Sequence, residues 1–263
     1  MLGTLIKHEF KKTWIIMTLI CAVTIVLGIL GGIFFKLTID PDFSSEANEF
    51  ILAFGIIGFA MILSALSMAT TIYLVVHYYR SLYSSQGYLS FTLPVSITEV
   101  VSSRVIIGFT WSLLVSLSMG LALFAAVGIP GGLAYVKEFY DELISTVEVS
   151  QVYKVMILCV FAIIFRSFAT LMTYFFCISI GQLWGKHKIL GAVLCYFATS
   201  FVLMIFSFGF NYRMFFSPDA FTGLDSFEYL ATTLVKTIVY SVVTIAIFYG
   251  AAIFTSNKQL NLD

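Results

Sequence analysis

Few residues in this chain combine the type and the spacing that chemistry requires. His8-Glu9 starts like a zinc-protease helix, but no second histidine stands at the required position. Gly181-Gln182-Leu183-Trp184-Gly185-Lys186-His187 has the glycines and lysine of a phosphate-binding loop. It is one residue short, His187 replaces the hydroxyl residue that would hold magnesium, and no strand precedes it. Cys21, Cys159, Cys177 and Cys195 each lie inside an apolar run with no Cys or His at metal spacing. They read as small hydrophobes, with no disulfide and no metal site. No Ser/His/Asp set, paired intramembrane aspartate or metal cluster is visible, so the chain is expected not to be an enzyme. One residue does stand out. Arg166 is a charge deep inside an apolar stretch.

The elements that carry these residues follow from composition. Of 263 residues, 60% are hydrophobic and only 11% charged, with mean hydropathy +1.01. A soluble domain carries roughly 25% charge, so this chain cannot cover a water-facing surface, and it is too apolar to be disordered. Fourteen bases balance fourteen acids, and nothing in that balance points to nucleic acid. Six runs are long enough to cross a bilayer as helices: about 14–35, 50–76, 105–127, 155–183, 189–208 and 230–254. Aromatics such as Trp14, Tyr78, Tyr79, Trp184 and Tyr249 sit near their ends, as interfacial belts do. The runs are continuous rather than alternating, which argues against a strand barrel. Met1–Lys12 is basic, but the run after it is about twice the usual signal-peptide core and lacks a cleavage site, so it reads as a retained first span. The expected fold is a single all-α transmembrane domain over 1–263.

Charge placement sets the orientation. The N-terminal segment, residues 77–104, residues 184–188 and the C-terminal tail hold eight bases against Glu9, Glu99 and Asp263. The other loops and span ends hold five bases and eleven acids. The Lys/Arg excess marks the first set as cytoplasmic, with both termini inside the cell.

Two segments on that side are more than simple connections. In residues 2–13, Leu2, Leu5, Ile6 and Phe10 share one helical face, with Lys7, Lys11 and Lys12 around the other. This predicts an amphipathic helix lying in the cytoplasmic interface. The stretch from Tyr78 to Arg104 contains Gly87 and Pro94 as breakers, then Ser96 and Glu99 spaced as a capping box at the start of the third helix. Tyr83, Tyr88, Leu89, Phe91 and Leu93 are exposed to cytoplasm unless they touch headgroups or another protein, and apolar surface of that kind marks a contact site.

Gln86-Gly87-Tyr88-Leu89 and Thr92-Leu93-Pro94-Val95-Ser96, with Glu99 after them, resemble a pattern in the permease subunits of ABC exporters, the type-2 export class common in Gram-positive bacteria. The N-terminal amphipathic segment, Ile180-Gly181-Gln182-Leu183 followed by Lys186-His187-Lys188, and the tail Gln259-Leu260-Asn261-Leu262 are similar to the same class. The resemblance implies a six-span permease of the plasma membrane that dimerises, with itself or a related permease. It also implies a separate cytoplasmic ATPase that binds ATP and magnesium. The coupling helix seated on that ATPase would fall near Ser81–Thr92, with Tyr83, Gln86, Gly87, Tyr88, Leu89, Phe91 and Glu99 as its residues. The loop Asn211–Tyr229 would fold back as short re-entrant helices, while 129–151 is a larger outer loop. The cargo expected first is an amphipathic or antimicrobial peptide, ahead of lipids and drugs.

A stand-alone secondary transporter or channel is the alternative. Ion-coupled carriers place acids inside the membrane and show repeated, interrupted spans. Here no span core holds Asp or Glu, and no convincing repeat is visible. Arg166 must then be accommodated without a carboxylate, although a central Arg costs about 2.5–3.5 kcal/mol on the insertion scale. Either its helix slides outward so that it snorkels, or it faces a polar cavity between subunits on the translocation path, binding an acidic group of the substrate or a backbone carbonyl. Gly28 and Gly32 form a GxxxG pair that would let another helix approach closely.

Overall fold

The computed structural model describes residues 2–39, 46–83, 96–146, 148–185, 187–216 and 225–260. Among them are seven helices and no strand: α1 (Leu2–Thr38), α2 (Glu46–Tyr83), α3 (Ile97–Gly128), α4 (Leu133–Thr146), α5 (Val149–Gly181), α6 (Lys188–Phe216) and α7 (Asp225–Leu260). Six of these, all but α4, are long and apolar enough to cross a membrane. A helix satisfies its own backbone hydrogen bonds in lipid, so continuous apolar runs fold this way. The chain has the architecture of a multi-pass membrane protein.

Three expectations change. Residues 2–13 are helical but form the first turns of α1, not a separate helix lying in the interface. Glu9 and Thr13 are buried there, which ties the segment to the bundle. The connection at 129–151, expected as a larger outer loop, contains the helix α4. Pro130 forbids continuation of α3. Gly131 then turns at φ +85°, with Gly132 N donating to Val127 O at 3.0 Å and Gly131 N to Gly128 O at 3.1 Å. That is a Schellman-type stop, which needs a residue without Cβ. Finally, residues 211–216 extend α6 and 225–229 open α7 instead of forming short re-entrant helices; residues 217–224 lie outside the described ones.

Packing is uneven. The most extensive pair is α1 with α3, followed by α5 with α7, and α6 lies on α5. At Gly28 an added Cβ would strike the backbone of Ala122, and at Gly32 it would sit 2.6 Å from Ala125 O. The GxxxG face is therefore used within the chain, between α1 and α3. The apolar stretch of α2 has no buried residue in its most apolar window. The buried core gathers at one end of the bundle, around Tyr78, Leu82, Val101, Trp111, Phe175 and Ala252. The start of α1 and the end of α7 both lie at this end, as the bonds of Glu9 to His77 and of Tyr83 to Ser256 require. We call it the basic end.

Candidate functional site

Two places carry the residues singled out from sequence. The first is the basic end, where α2 stops at Tyr83 and α3 starts after Ser96. Gln86, Gly87, Tyr88, Leu89 and Phe91 lie outside the described residues, but both flanks are fixed. Ser96 caps α3: its hydroxyl accepts from Glu99 N, and Glu99 Oε2 accepts from Ser96 N, each at 3.3 Å. Glu99 is thus a helix-capping residue, as its spacing predicts. Tyr83 differs from expectation. Its ring is not offered to the cytoplasm but half-buried, with the hydroxyl 3.0 Å from both Ser179 Oγ of α5 and Ser256 Oγ of α7. Desolvating a phenol is favourable only when its hydroxyl finds such partners, and two serines facing each other across the helices supply them. Tyr78, one turn earlier, stacks on Phe175 with ring centroids 4.1 Å apart and reaches Ser179 Oγ at 3.2 Å.

Beside this cluster lies an ionic one that the sequence reading missed. Glu9 and Arg104 had been counted only as cytoplasmic charges. In the structure their side chains are 5% and 2% exposed, and Arg104 Nη2 lies 3.4 Å from Glu9 Oε1. His77 Nε2 lies 2.9 Å from Glu9 Oε2, and Lys12 Nζ 3.3 Å from Oε1. Arg104 Nη1 donates to Val100 O and Ser103 Oγ, both at 3.0 Å. Trp111 Nε1 donates to Thr13 Oγ1 at 2.9 Å, while its ring stacks on Phe10. The contacts of Glu9 with His77 and Arg104, and of Trp111 with Thr13, join α1 to α2 and α3. The one available signal was Glu9 itself, a lone acid among three lysines on a segment otherwise suited to anionic headgroups.

The second place surrounds Arg166. It stands near the middle of α5 and lines a cavity of about 610 Å³ between α5, α6 and α7. The other walls bring hydroxyls: Thr170 and Thr173 from α5, Tyr196 and Ser200 from α6, Tyr240 and Thr244 from α7. Arg166 is close enough to Tyr240 to act on its hydroxyl electrostatically. Among the described residues, no Asp or Glu lines the cavity. Arg166 thus lies on a polar cavity formed within the chain by α5, α6 and α7. Serine and threonine are frequent in any sequence of this kind, and only the helix pairing reveals that these share one space.

The glycine-lysine stretch after α5 does not offer a phosphate cradle. Gln182 N donates to Ile178 O, Leu183 N to Ile180 O and Trp184 N to Gly181 O, at 3.2, 2.9 and 3.2 Å. These amides close the end of a helix, and no strand leads into them. The described residues of this stretch do not fit a nucleotide.

No family model, curated protein or solved structure matches this chain.

Proposed function

We propose that this chain is the permease subunit of an ATP-driven ABC exporter of the plasma membrane, with both termini cytoplasmic. A second permease, identical or related, would complete the pathway. ATP and magnesium would be bound by a separate cytoplasmic ATPase. Its cargo would be an amphipathic molecule leaving the cell, and Arg166 would lie on the path.

The observation that supports this reading is the wiring of the two helix ends that flank residues 84–95. One flank, Tyr83, is hydrogen-bonded to α5 and α7. The other opens α3, whose Arg104 is paired to α1 through Glu9. A push on this segment would reach four helices through direct bonds and packed rings, which is what a coupling element has to do. Networks of this kind supply contiguity; coupling itself is an energetic property to be measured.

The test is to change Tyr88 and Leu89 together to Asp and co-express the chain with the candidate P-loop ATPases of its source, scoring co-purification. We expect a folded permease that loses the ATPase or no longer stimulates its hydrolysis, because apolar anchors carry most of an interface's energy. An unchanged, fully coupled complex would remove the proposal.

A further inference from the structure

We propose that α5, α6 and α7 form a binding site for a single-chain anionic amphiphile, with its phosphate or carboxylate head at Arg166 and its tail in an adjoining apolar groove. This deepens the exporter reading by naming its cargo, and rests on that reading only for the word cargo, since binding needs no ATPase.

The site has two chambers. The hydroxyl-lined cavity of about 610 Å³ around Arg166 shares Leu203, Tyr240 and Thr244 with a second, of about 670 Å³, between α6 and α7. Volumes of this order suit small-molecule ligands. The second is walled by Val202, Phe206, Val239, Val243 and Ile247, all exposed, so it opens to the surface along its length. Its one charged lining residue is Lys236. Lys236, Tyr240 and Thr244 are four residues apart on α7 and so share a face, which brings the charged, hydroxylic and apolar parts together.

Charge decides the head. Among the described residues, each chamber is lined by one cation and no carboxylate. Arg166 is exposed to the cavity, and an anion entering it would pair with a charge set between apolar helices, where such pairs are stronger than in bulk water. A cationic or zwitterionic head would bring positive charge towards both Arg166 and Lys236, with no acid there to receive it. A guanidinium offers five donors in a fork that matches phosphate and carboxylate oxygens. The neighbouring Thr170, Thr173 and Thr244 hydroxyls currently donate to carbonyls one turn back, at 3.0, 2.8 and 2.8 Å. Those carbonyls already accept helix amides, so the hydroxyl rotors can swing to a ligand.

Depth separates this site from an ordinary lipid contact. Arg166 stands 17 residues from Val149 and 15 from Gly181, near the midpoint of the helix. A lipid in the bilayer keeps its head at the interface, about 15 Å from the midplane. With the bilayer centred on α5, a head at Arg166 would lie below that level, which is the position of an amphiphile in transit.

The test uses the purified chain in neutral maltoside micelles and equilibrium dialysis against dodecyl phosphate. Inorganic phosphate, dodecanol and dodecyltrimethylammonium serve as comparisons, each scored above protein-free micelles. We expect saturable binding of dodecyl phosphate at one per chain, with the three comparisons at least about tenfold weaker. Arg166→Gln and Val243→Trp should each weaken dodecyl phosphate by at least about tenfold. Val243→Trp only adds bulk at an exposed wall, so it keeps the test open should Arg166→Gln not fold. Dodecanol binding as well as dodecyl phosphate would overturn the head, and inorganic phosphate binding as well would overturn the tail. Unchanged affinity in a folded variant would overturn the site. Loss of binding with ATPase coupling intact condemns this site alone; loss of coupling with binding intact condemns only the exporter reading.

Discussion

At the basic end, Arg104 meets Glu9 behind aromatic rings and is 2% exposed; halfway along α5, Arg166 lines an open cavity whose polar walls are hydroxyls. Both arginines sit in apolar helices, yet their surroundings assign them different work. The Arg104 guanidinium is consumed by a carboxylate, a carbonyl and a serine, so it has little to offer a visitor. Arg166 faces a space large enough to admit one. A sealed charge contributes shape, because both partners must stay where they are. An open charge contributes recognition, because its partner can come and go.

That contrast breaks most visibly at Glu9. Glu9→Ala leaves Arg104 buried without its carboxylate, and removing one member of a buried pair costs about 3–5 kcal/mol. We expect a large fall in the thermal midpoint of the purified protein, followed by tryptophan fluorescence. Glu9→Leu combined with Arg104→Met should recover most of it, since an apolar pair of similar volume is often neutral or better. A wild-type midpoint for Glu9→Ala would mean that the sealed end is no more stable than the rest.

The next effect in size separates a packed helix from an unpacked one by a single change. Gly28→Ala drives a Cβ into the backbone of Ala122, and overpacking of this kind costs about 1–3 kcal/mol. Gly58→Ala, in α2, meets nothing within 4 Å and gains up to about 1 kcal/mol in helix propensity. Opposite shifts in midpoint are expected, and equal shifts would erase the distinction between α1 and α2.

The smallest effect on stability belongs to Arg166. Arg166→Leu removes a charge that no carboxylate among the cavity's lining residues holds, so the midpoint should stay level or rise slightly. Transport, once a cargo is assayed, should fall. Normal transport at normal expression would take Arg166 off the functional path, and a collapsed midpoint would make it a second Arg104.

The sequence made some of this legible and hid the rest for physical reasons. The long apolar helices were readable because about 20 apolar residues in a row have few other fates. The Ser96–Glu99 cap was readable because its logic is local. α4 was not, since LAYVKEFYDELIST mixes exposed apolar and charged residues and is too short to cross a membrane. Glu9 and Arg104 were read as loop charges because they are 95 residues apart, and only the packing of α1 on α3 joins them. Tyr83 looked exposed for the same reason: Ser179 and Ser256 are ordinary helix serines until three helices converge. Arg166 could be found from sequence as an anomaly, but its hydroxyl walls come from three helices and have no linear signature.

The lengths of α1 and α2, 37 and 38 residues, have a consequence for the membrane itself. At 1.5 Å per residue each is about 55 Å long, against a hydrocarbon layer of about 30 Å. Rods so much longer than the layer need not bend or thin it when its thickness changes; the water boundary can slip along their surface. Charges that project into solvent would resist being drawn under, because each would lose its hydration. Glu9 and Arg104 have already given theirs up to each other, but Lys7, Lys11, Lys12 and Arg80 at the same end stay exposed, so this end is held at the water boundary. The protein should therefore hold the same internal form in thin and thick bilayers, with the length of rod left beyond the opposite boundary as the variable that gives.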